Sequence, residues 1–172
     1  MILRELQLIS EAQEVTLIGK KIGDKIFTAK MSGKPWSGSF NCYNNNLTSL
    51  VGAPSSVGGY FSCSNNNLTS LEGAPSSIGG MFSCTANKLT SLHDVHKIIK
   101  KINGEFYANR NPITSCVLGI LLIEGVMDFE LDYNEEADII INKYLPNTRG
   151  FSAVIECQSE LLDASLDEYA KL

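Results

Sequence analysis

The chain has 172 residues, 44% of them hydrophobic and 19% charged, with a net charge of −5. A chain of roughly 150 residues hides about 70% of its unfolded surface, so one domain with a real core is expected. The mild acidity argues against a nucleic-acid backbone as main partner, because that attraction needs clustered Lys and Arg; the longest apolar run, Val117 to Ile123, falls far short of the roughly 20 residues that span a bilayer.

In chain order, Ile2, Leu3, Leu6 and Ile9 have helical spacing, and Arg4, Glu5 and Glu11 do not read as a signal peptide. Val15–Lys20 and Lys25–Ala29 read as two short strands around the polar Gly19–Asp24 segment, a hairpin. With Trp36, the only tryptophan, residues 1–37 form an N-terminal cap over the first repeat.

An internal repeat then dominates. GSFNCYNNNLTSLVGAPSSVGG is followed by GYFSCSNNNLTSLEGAPSSIGG and GMFSCTANKLTSLHDVHKI. Phe40, Phe61 and Phe82 are spaced by 21, as are Cys42, Cys63 and Cys84. A fourth copy, Phe106–Ile113, is offset by 24, and a fifth, Val126–Asn134, by a further 23. Alternating Phe and Cys predict a short strand with one buried edge. The Asn three residues after the Cys position sits where the chain turns, so Asn45, Asn66, Asn87, Asn111 and Asn134 are expected to stack as a ladder that satisfies neighbouring backbone groups. Gly52-Ala-Pro-Ser-Ser and Gly58-Gly59 predict return arms made of turns or short 3₁₀ pieces. In the third arm, Val95, Ile98, Ile99 and Ile102 have helical spacing; the fourth, Thr114–Ile123, fits a buried helix or an extended run.

The motif F-x-C-x-x-N-x-L resembles the leucine-rich-repeat core L-x-L-x-x-N-x-L, with Phe and Cys in place of two leucines. The blocks FSCSNNNLTSL and NNLTSLEGAPSSIGG, with the tail INKYLPNTRGFSAVIECQSELLDASLDEYAKL, are most similar to the short Cys- and Asn-rich repeats of bacteriophage-encoded proteins, and the likeness covers residues 38–172. It implies an α/β leucine-rich-repeat solenoid of about five short coils over 38–134, between the N-terminal cap and a helical C-terminal cap over 135–172, all one domain. It brings no catalytic motif.

The C-terminal cap begins with Glu135-Glu136, where a helix start favours negative charge. Ala137, Ile140, Ile141 and Tyr144 form its expected inner stripe, and Pro146 its end. A second helix is expected over about 152–162 with Val154, Ile155, Leu161 and Leu162 inward, and Ser165-Leu-Asp-Glu168 fits a capping box before a last short helix. Charge is uneven. Residues 1–37 carry six Lys/Arg and four Asp/Glu (+2), 38–123 five and three (+2), and 124–172 three and twelve (−9). A solvated helical face or an acidic docking surface both account for that last third.

Five cysteines, Cys42, Cys63, Cys84, Cys116 and Cys157, form no CxxC pair. The odd count and Ala108 at the fourth repeat position favour reduced packing thiols in a cytoplasmic chain over disulfides or metal. His93 and His96 lie three apart without further ligands, and Asp128–Glu135 resembles a calcium loop lacking its central Gly, so no metal or cofactor is expected. Asn46-Leu-Thr48 and Asn67-Leu-Thr69 are glycosylation sequons that a cytoplasmic chain leaves unused.

Between the buried strand positions, outward side chains align as columns on the concave face. They run Ser39, Tyr60, Met81, Glu105, Asp128; then Asn41, Ser62, Ser83, Tyr107, Glu130; then Tyr43, Ser64, Thr85, Asn109, Asp132; and last Asn44, Asn65, Ala86, Arg110, Tyr133. Interfaces favour aromatics, Met and Arg, so Tyr43, Tyr60, Met81, Tyr107, Arg110, Asp128, Glu130, Asp132 and Tyr133 are the expected partner-binding residues. The reading is a non-enzymatic protein-binding module whose acidic end steers a basic-surfaced protein, without nucleic acid or membrane. The phage resemblance implies a host protein, such as a defence enzyme that it inhibits, in the host cytoplasm. A self-associating structural or virion protein, a homo-oligomer joined through a cap or the open strand edge, is the second reading; an enzyme using His93, His96 or the Asp128–Asp132 carboxylates is the third.

Overall fold

The computed structural model describes residues 17–22, 25–131, 134–145 and 150–172. The expected N-terminal helix, residues 15 and 16 of the first strand, Asp132, Tyr133 and Pro146 lie outside them. Strands follow in chain order as β1 (Lys21–Ile22), β2 (Lys25–Ile26), β3 (Phe40–Asn41), β4 (Ser56–Val57), β5 (Phe61–Ser62), β6 (Ser77–Ile78), β7 (Phe82–Ser83), β8 (Lys101–Ile102), β9 (Glu105–Tyr107) and β10 (Asp128–Glu130). The helices are α1 (Val95–Ile98), α2 (Glu135–Tyr144) and α3 (Phe151–Asp163), with a 3₁₀ turn at Leu118–Leu122.

The repeat builds a parallel-strand solenoid. β10, β9, β7, β5 and β3 lie side by side in one sheet, all pairs parallel. Five strands bound about four turns. Because the period is 21, equivalent residues pair directly, Phe40 with Phe61 and Phe61 with Phe82. Their rings stack at 5.5 and 5.8 Å with interplanar angles of 6° and 4°. Where the spacing lengthens the register holds but the rings tilt: Phe82 meets Phe106 at 51° and Phe106 meets Phe129 at 64°. All five phenylalanines are buried. Such offset and edge contacts add about 0.5–1.5 kcal/mol each to the area they bury.

The asparagine ladder forms across the inner coils. Asn66 Oδ1 accepts from the backbone N–H of Asn45 and Leu47, both at 2.9 Å, while its Nδ2 donates to the carbonyls of Cys42, Cys63 and Ser64. Asn87 and Asn111 repeat the arrangement, accepting from Leu68 and Leu89 N–H. Asn134 does not join it. Its Oδ1 accepts from Ala137 N–H at 3.0 Å, which makes it the N-cap of α2. The chain has already left the sheet there, so there is no turning coil for it to bridge.

The return arms depart from the sequence expectation. After the turns at Val51-Gly52 and Glu72-Gly73, β4 pairs with β6 and β6 with β8, forming a second, three-stranded parallel sheet. The glycines explain this closeness: a Cβ on Gly79 would lie 2.1 Å from the Gly58 carbonyl oxygen, so only Gly lets successive arms approach to pairing distance. The third arm is helical for one turn, Val95–Ile98, and Ile102 belongs to strand β8 instead. The fourth arm adopts the 3₁₀ turn, buried throughout except Leu122.

Both ends are covered. β1 and β2 form the antiparallel hairpin, but β1 falls within the segment read as its polar turn: Ile22 is buried there, with Leu17 and Phe27, and Lys21 pairs with Ile26. Phe27 and Trp36 meet Phe40 edge-on at 5.4 and 5.2 Å. At the other end α2 lies along β10, where Asn142 imitates a peptide group. Its Oδ1 accepts from Phe129 N–H at 2.8 Å and its Nδ2 donates to Phe129 O at 2.7 Å; Asp138 Oδ2 accepts from Leu131 N–H. α3 packs on α2 and on the 3₁₀ turn through Ala153, Val154, Cys157 and Leu161. Ile155 and Leu162, expected inward, are 63% and 47% exposed, since they fall about 100° around the helix from that buried stripe. The last expected helix is absent. Ser165 adopts φ 61° and closes α3: its N–H donates to Leu162 O and the Leu166 N–H to Leu161 O, the Schellman pattern.

Candidate functional site

The outward columns assemble as the register requires, and side-chain size then divides them. In the middle coils Ser62, Ser64 and Ser83 are under 10% exposed. Ser64 Oγ lies 2.8 Å from Ser83 Oγ, Ser62 donates to Ser64, and Ser83 lies 3.1 Å from Thr85. These hydroxyls satisfy one another and leave a smooth centre that offers a partner few unmade bonds.

Larger groups flank it. Tyr43 is 54% exposed and Tyr60 39%, while Met81, one coil beyond Tyr60 in the same column, is half-buried. At the other end parallel pairing sets Glu105 against Asp128 and Tyr107 against Glu130. Desolvation first, and then the carboxylates of Glu105, Asp128 and Glu130, push the Tyr107 hydroxyl above its ordinary pKa. Tyr107 is therefore a neutral donor set among negative charges. Arg110 is exposed one turn further along at φ 55°, the left-handed position that Asn44, Asn65 and Ala86 occupy in the preceding coils. An Asn tolerates that geometry more readily than an Arg. The structure thus groups Tyr43, Tyr60 and Met81 at one end and Tyr107, Arg110, Asp128 and Glu130 at the other. Glu105 belongs with the second group; its place in the Asp128 column was the signal for it.

The other candidates stand apart from this face. Cys42, Cys63 and Cys84 are buried free thiols that donate to the carbonyls of Ser62, Ser83 and Tyr107. Burial pushes the Cys42 thiol up to about 12 and those of Cys63 and Cys84 well above the usual range. His93 lines a hollow of about 240 Å³ on the return side with Thr69, Ser70 and Ser91, and its Nε2 lies 3.5 Å from Asp94. His96 turns elsewhere, its Nδ1 buried against Gly119, and burial lowers its pKa. Among the described residues no group of three or more His, Cys, Asp or Glu is placed to hold a metal ion.

Fold and face together define a parallel β-solenoid repeat protein with a helical C-terminal cap. Comparison with protein-family models, characterised proteins and solved structures yields no match. Among the described residues no helix is long and apolar enough to cross a membrane.

Proposed function

We propose that this chain is a non-enzymatic protein-binding module that uses the outer face of its five-stranded sheet, with a basic-surfaced protein as partner. The observation that carries this reading is the register-built cluster of Glu105, Asp128 and Glu130 around Tyr107, with exposed Arg110 three residues further along the same coil. Rigid in-register strands hold these groups without side-chain rearrangement, so little ordering entropy is lost on binding. Carboxylates on an exposed rim speed the approach of a cationic partner, and Tyr and Arg supply the anchors.

The leucine-rich-repeat and bacteriophage likeness of FSCSNNNLTSL and its companions supports a finer version, in which the partner is a host protein, such as a defence enzyme, met in the host cytoplasm. The test is affinity capture from host lysate with wild type, a Tyr107→Ala/Arg110→Ala double variant and a Thr69→Ala control on the return side. A partner retained by the control and lost by the double variant is the expected result. Identical partner lists for all three would exclude the sheet face as the binding surface.

A further inference from the structure

The two ends of the solenoid carry exposed apolar side chains beside opposite charges. At the N-terminal end the hairpin turns Leu17, Ile22 and Phe27 inward over the first coil. It leaves Ile18 and Ile26 at 53% and 54% exposure, in a segment that also carries Lys20, Lys21, Lys30 and Lys34. Among the described residues of 17–36 there is no Asp or Glu, and residues 1–37 as a whole carry a net charge of +2. At the C-terminal end α3 turns Ala153, Val154, Cys157 and Leu161 inward. Its outer side leaves Phe151 at 68%, Ile155 at 63% and Leu162 at 47% exposure, within a 40° arc of the helix at 100° per residue. Gln158 and Ser159 flank that stripe, the exposed carboxylates Glu156 and Asp163 lie about 80–100° further round the helix, and residues 124–172 carry a net charge of −9.

We propose that copies of this chain associate head to tail, the outer side of the β1–β2 hairpin of one copy docking on the apolar stripe of α3 in the next. Charge selects this arrangement over its alternatives. Two C-terminal caps face to face would bring like negative charge together, and two hairpins would oppose their lysines. The joint of basic hairpin to acidic helix pairs opposite charges while covering both apolar sets. Such a contact is heterologous, so it extends into rows and does not close as a dimer.

Strand addition at the five-stranded sheet is disfavoured. At the N-terminal edge Trp36 Nε1 donates to Ser39 O, Asn41 Oδ1 accepts from Tyr43 N–H, and Asn45 Nδ2 donates to Tyr43 O. At the C-terminal edge Asn142 and Asp138 occupy the backbone of Phe129 and Leu131. The chain's own side chains thus take backbone groups at both edges of this sheet, which leaves the cap surfaces as the docking sites. The outer sheet face takes no part and stays open, so this association and partner binding there are tested separately.

The test is sedimentation of the full chain at micromolar and near-millimolar concentration, with two surface variants. Ile18→Ser/Ile26→Ser removes the hairpin surface and Phe151→Ser/Ile155→Ser the helix surface; all four residues are exposed, and circular dichroism verifies that each variant stays folded. Wild type is expected to grow in mass with concentration beyond twice its 18.8 kDa. Each variant alone is expected to remain monomeric, whereas their equimolar mixture forms a dimer and nothing larger, because one intact hairpin and one intact α3 stripe remain. Raising salt from about 0.05 to about 0.5 M is expected to weaken the wild-type association about tenfold. A wild type that stays monomeric at near-millimolar concentration, a hairpin variant that still dimerises, a mixture that stays monomeric, or association indifferent to salt would each overturn the proposal.

Discussion

Replacing Asn66 by Ala tests the physical basis of the solenoid directly. The side chain makes five hydrogen bonds, between 2.8 and 3.1 Å: three reach the first coil and two brace its own. Its loss leaves the N–H groups of Asn45 and Leu47 without their acceptor and three carbonyls short of a donor. A buried N–H left unmade costs about 1–3 kcal/mol. Two of them, softened by water entering the space, put the loss at about 3–4 kcal/mol, a large share of the roughly 5–15 kcal/mol that holds a domain folded. Asn45 occupies the same repeat position but has no earlier coil to bridge; its Nδ2 donates to Tyr43 O. Asn45→Ala is therefore expected to cost under about 1 kcal/mol. Urea denaturation measures both. Equal losses, or a loss below about 1 kcal/mol for Asn66→Ala, would refute the ladder as a source of stability. Asn66→Asp sharpens the test, since it keeps the acceptor but points a carboxylate oxygen at three carbonyls. Burial and that repulsion raise the carboxyl pKa of the folded state above its unfolded value. The stability gained by protonation is then fully present below the unfolded pKa and lost as pH rises through the folded one, so the variant approaches wild type as pH falls.

Further outcomes rest on the same contacts. Gly79→Ala should unfold the chain or cost more than about 3 kcal/mol, because the new Cβ meets the Gly58 carbonyl oxygen at 2.1 Å, whereas Gly80→Ala, 3.2 Å from Tyr60 N, should be far milder; thermal melts separate the two. In native protein a disulfide thiol reagent should label half-buried Cys116 ahead of the rest, and all five cysteines in denaturant, since burial holds Cys42 and Cys157 at about 12; rapid native labelling of a repeat cysteine would contradict their burial. Asn142→Ala should cost about 2–3 kcal/mol and speed hydrogen exchange at the Phe129 amide, read by NMR. Arg110→Asn should raise stability by about 0.5–1 kcal/mol by relieving the left-handed backbone, while weakening any partner held by the sheet face.

The repeat made the coil legible because in-register stacking converts a period of 21 into contacts: Phe on Phe, Cys thiol to the next carbonyl, Asn to the preceding coil and its own. What the repeat could not convey was the second sheet. β4 and β6, Ser56–Val57 and Ser77–Ile78, lie in Gly-, Pro- and Ser-rich arms that read as turns, and their pairing depends on how closely Gly58 and Gly79 let the arms approach. Both caps were harder for another reason. A cap faces the core once and lacks a neighbouring copy to confirm its phase, so Ile155 and Leu162 could be placed on either side of α3 by apolarity alone. Ser165 shows how a local motif misleads: Ser-x-x-Glu has the composition of a helix start, yet the tertiary position makes it a helix end. On the outer face, the columns were readable from pairing, but the mutual bonding of Ser62, Ser64, Ser83 and Thr85 was not, because hydroxyl direction leaves no trace in periodicity.

The division between copies also bears on where function resides. The second and third coils differ little in sequence, and their outward serines bond to each other, so their side chains go mainly into holding the stack. The fourth and fifth abandon that pattern at the same outward positions, placing Glu105, Tyr107, Arg110, Asp128 and Glu130 where earlier coils carry small or neutral groups. None of these substitutions improves the fold: Arg110 takes a backbone conformation better suited to Asn, and carboxylates gathered in register repel one another. Local choices that cost stability without structural return are the ones expected at a functional surface. The same reasoning applies at the caps, where Ile26, Phe151 and Ile155 stay in water although polar residues would serve the fold as well. The solenoid's regular interior fixes the geometry, and its costly exceptions fall where the proposed contacts with a partner or a second copy would offset them.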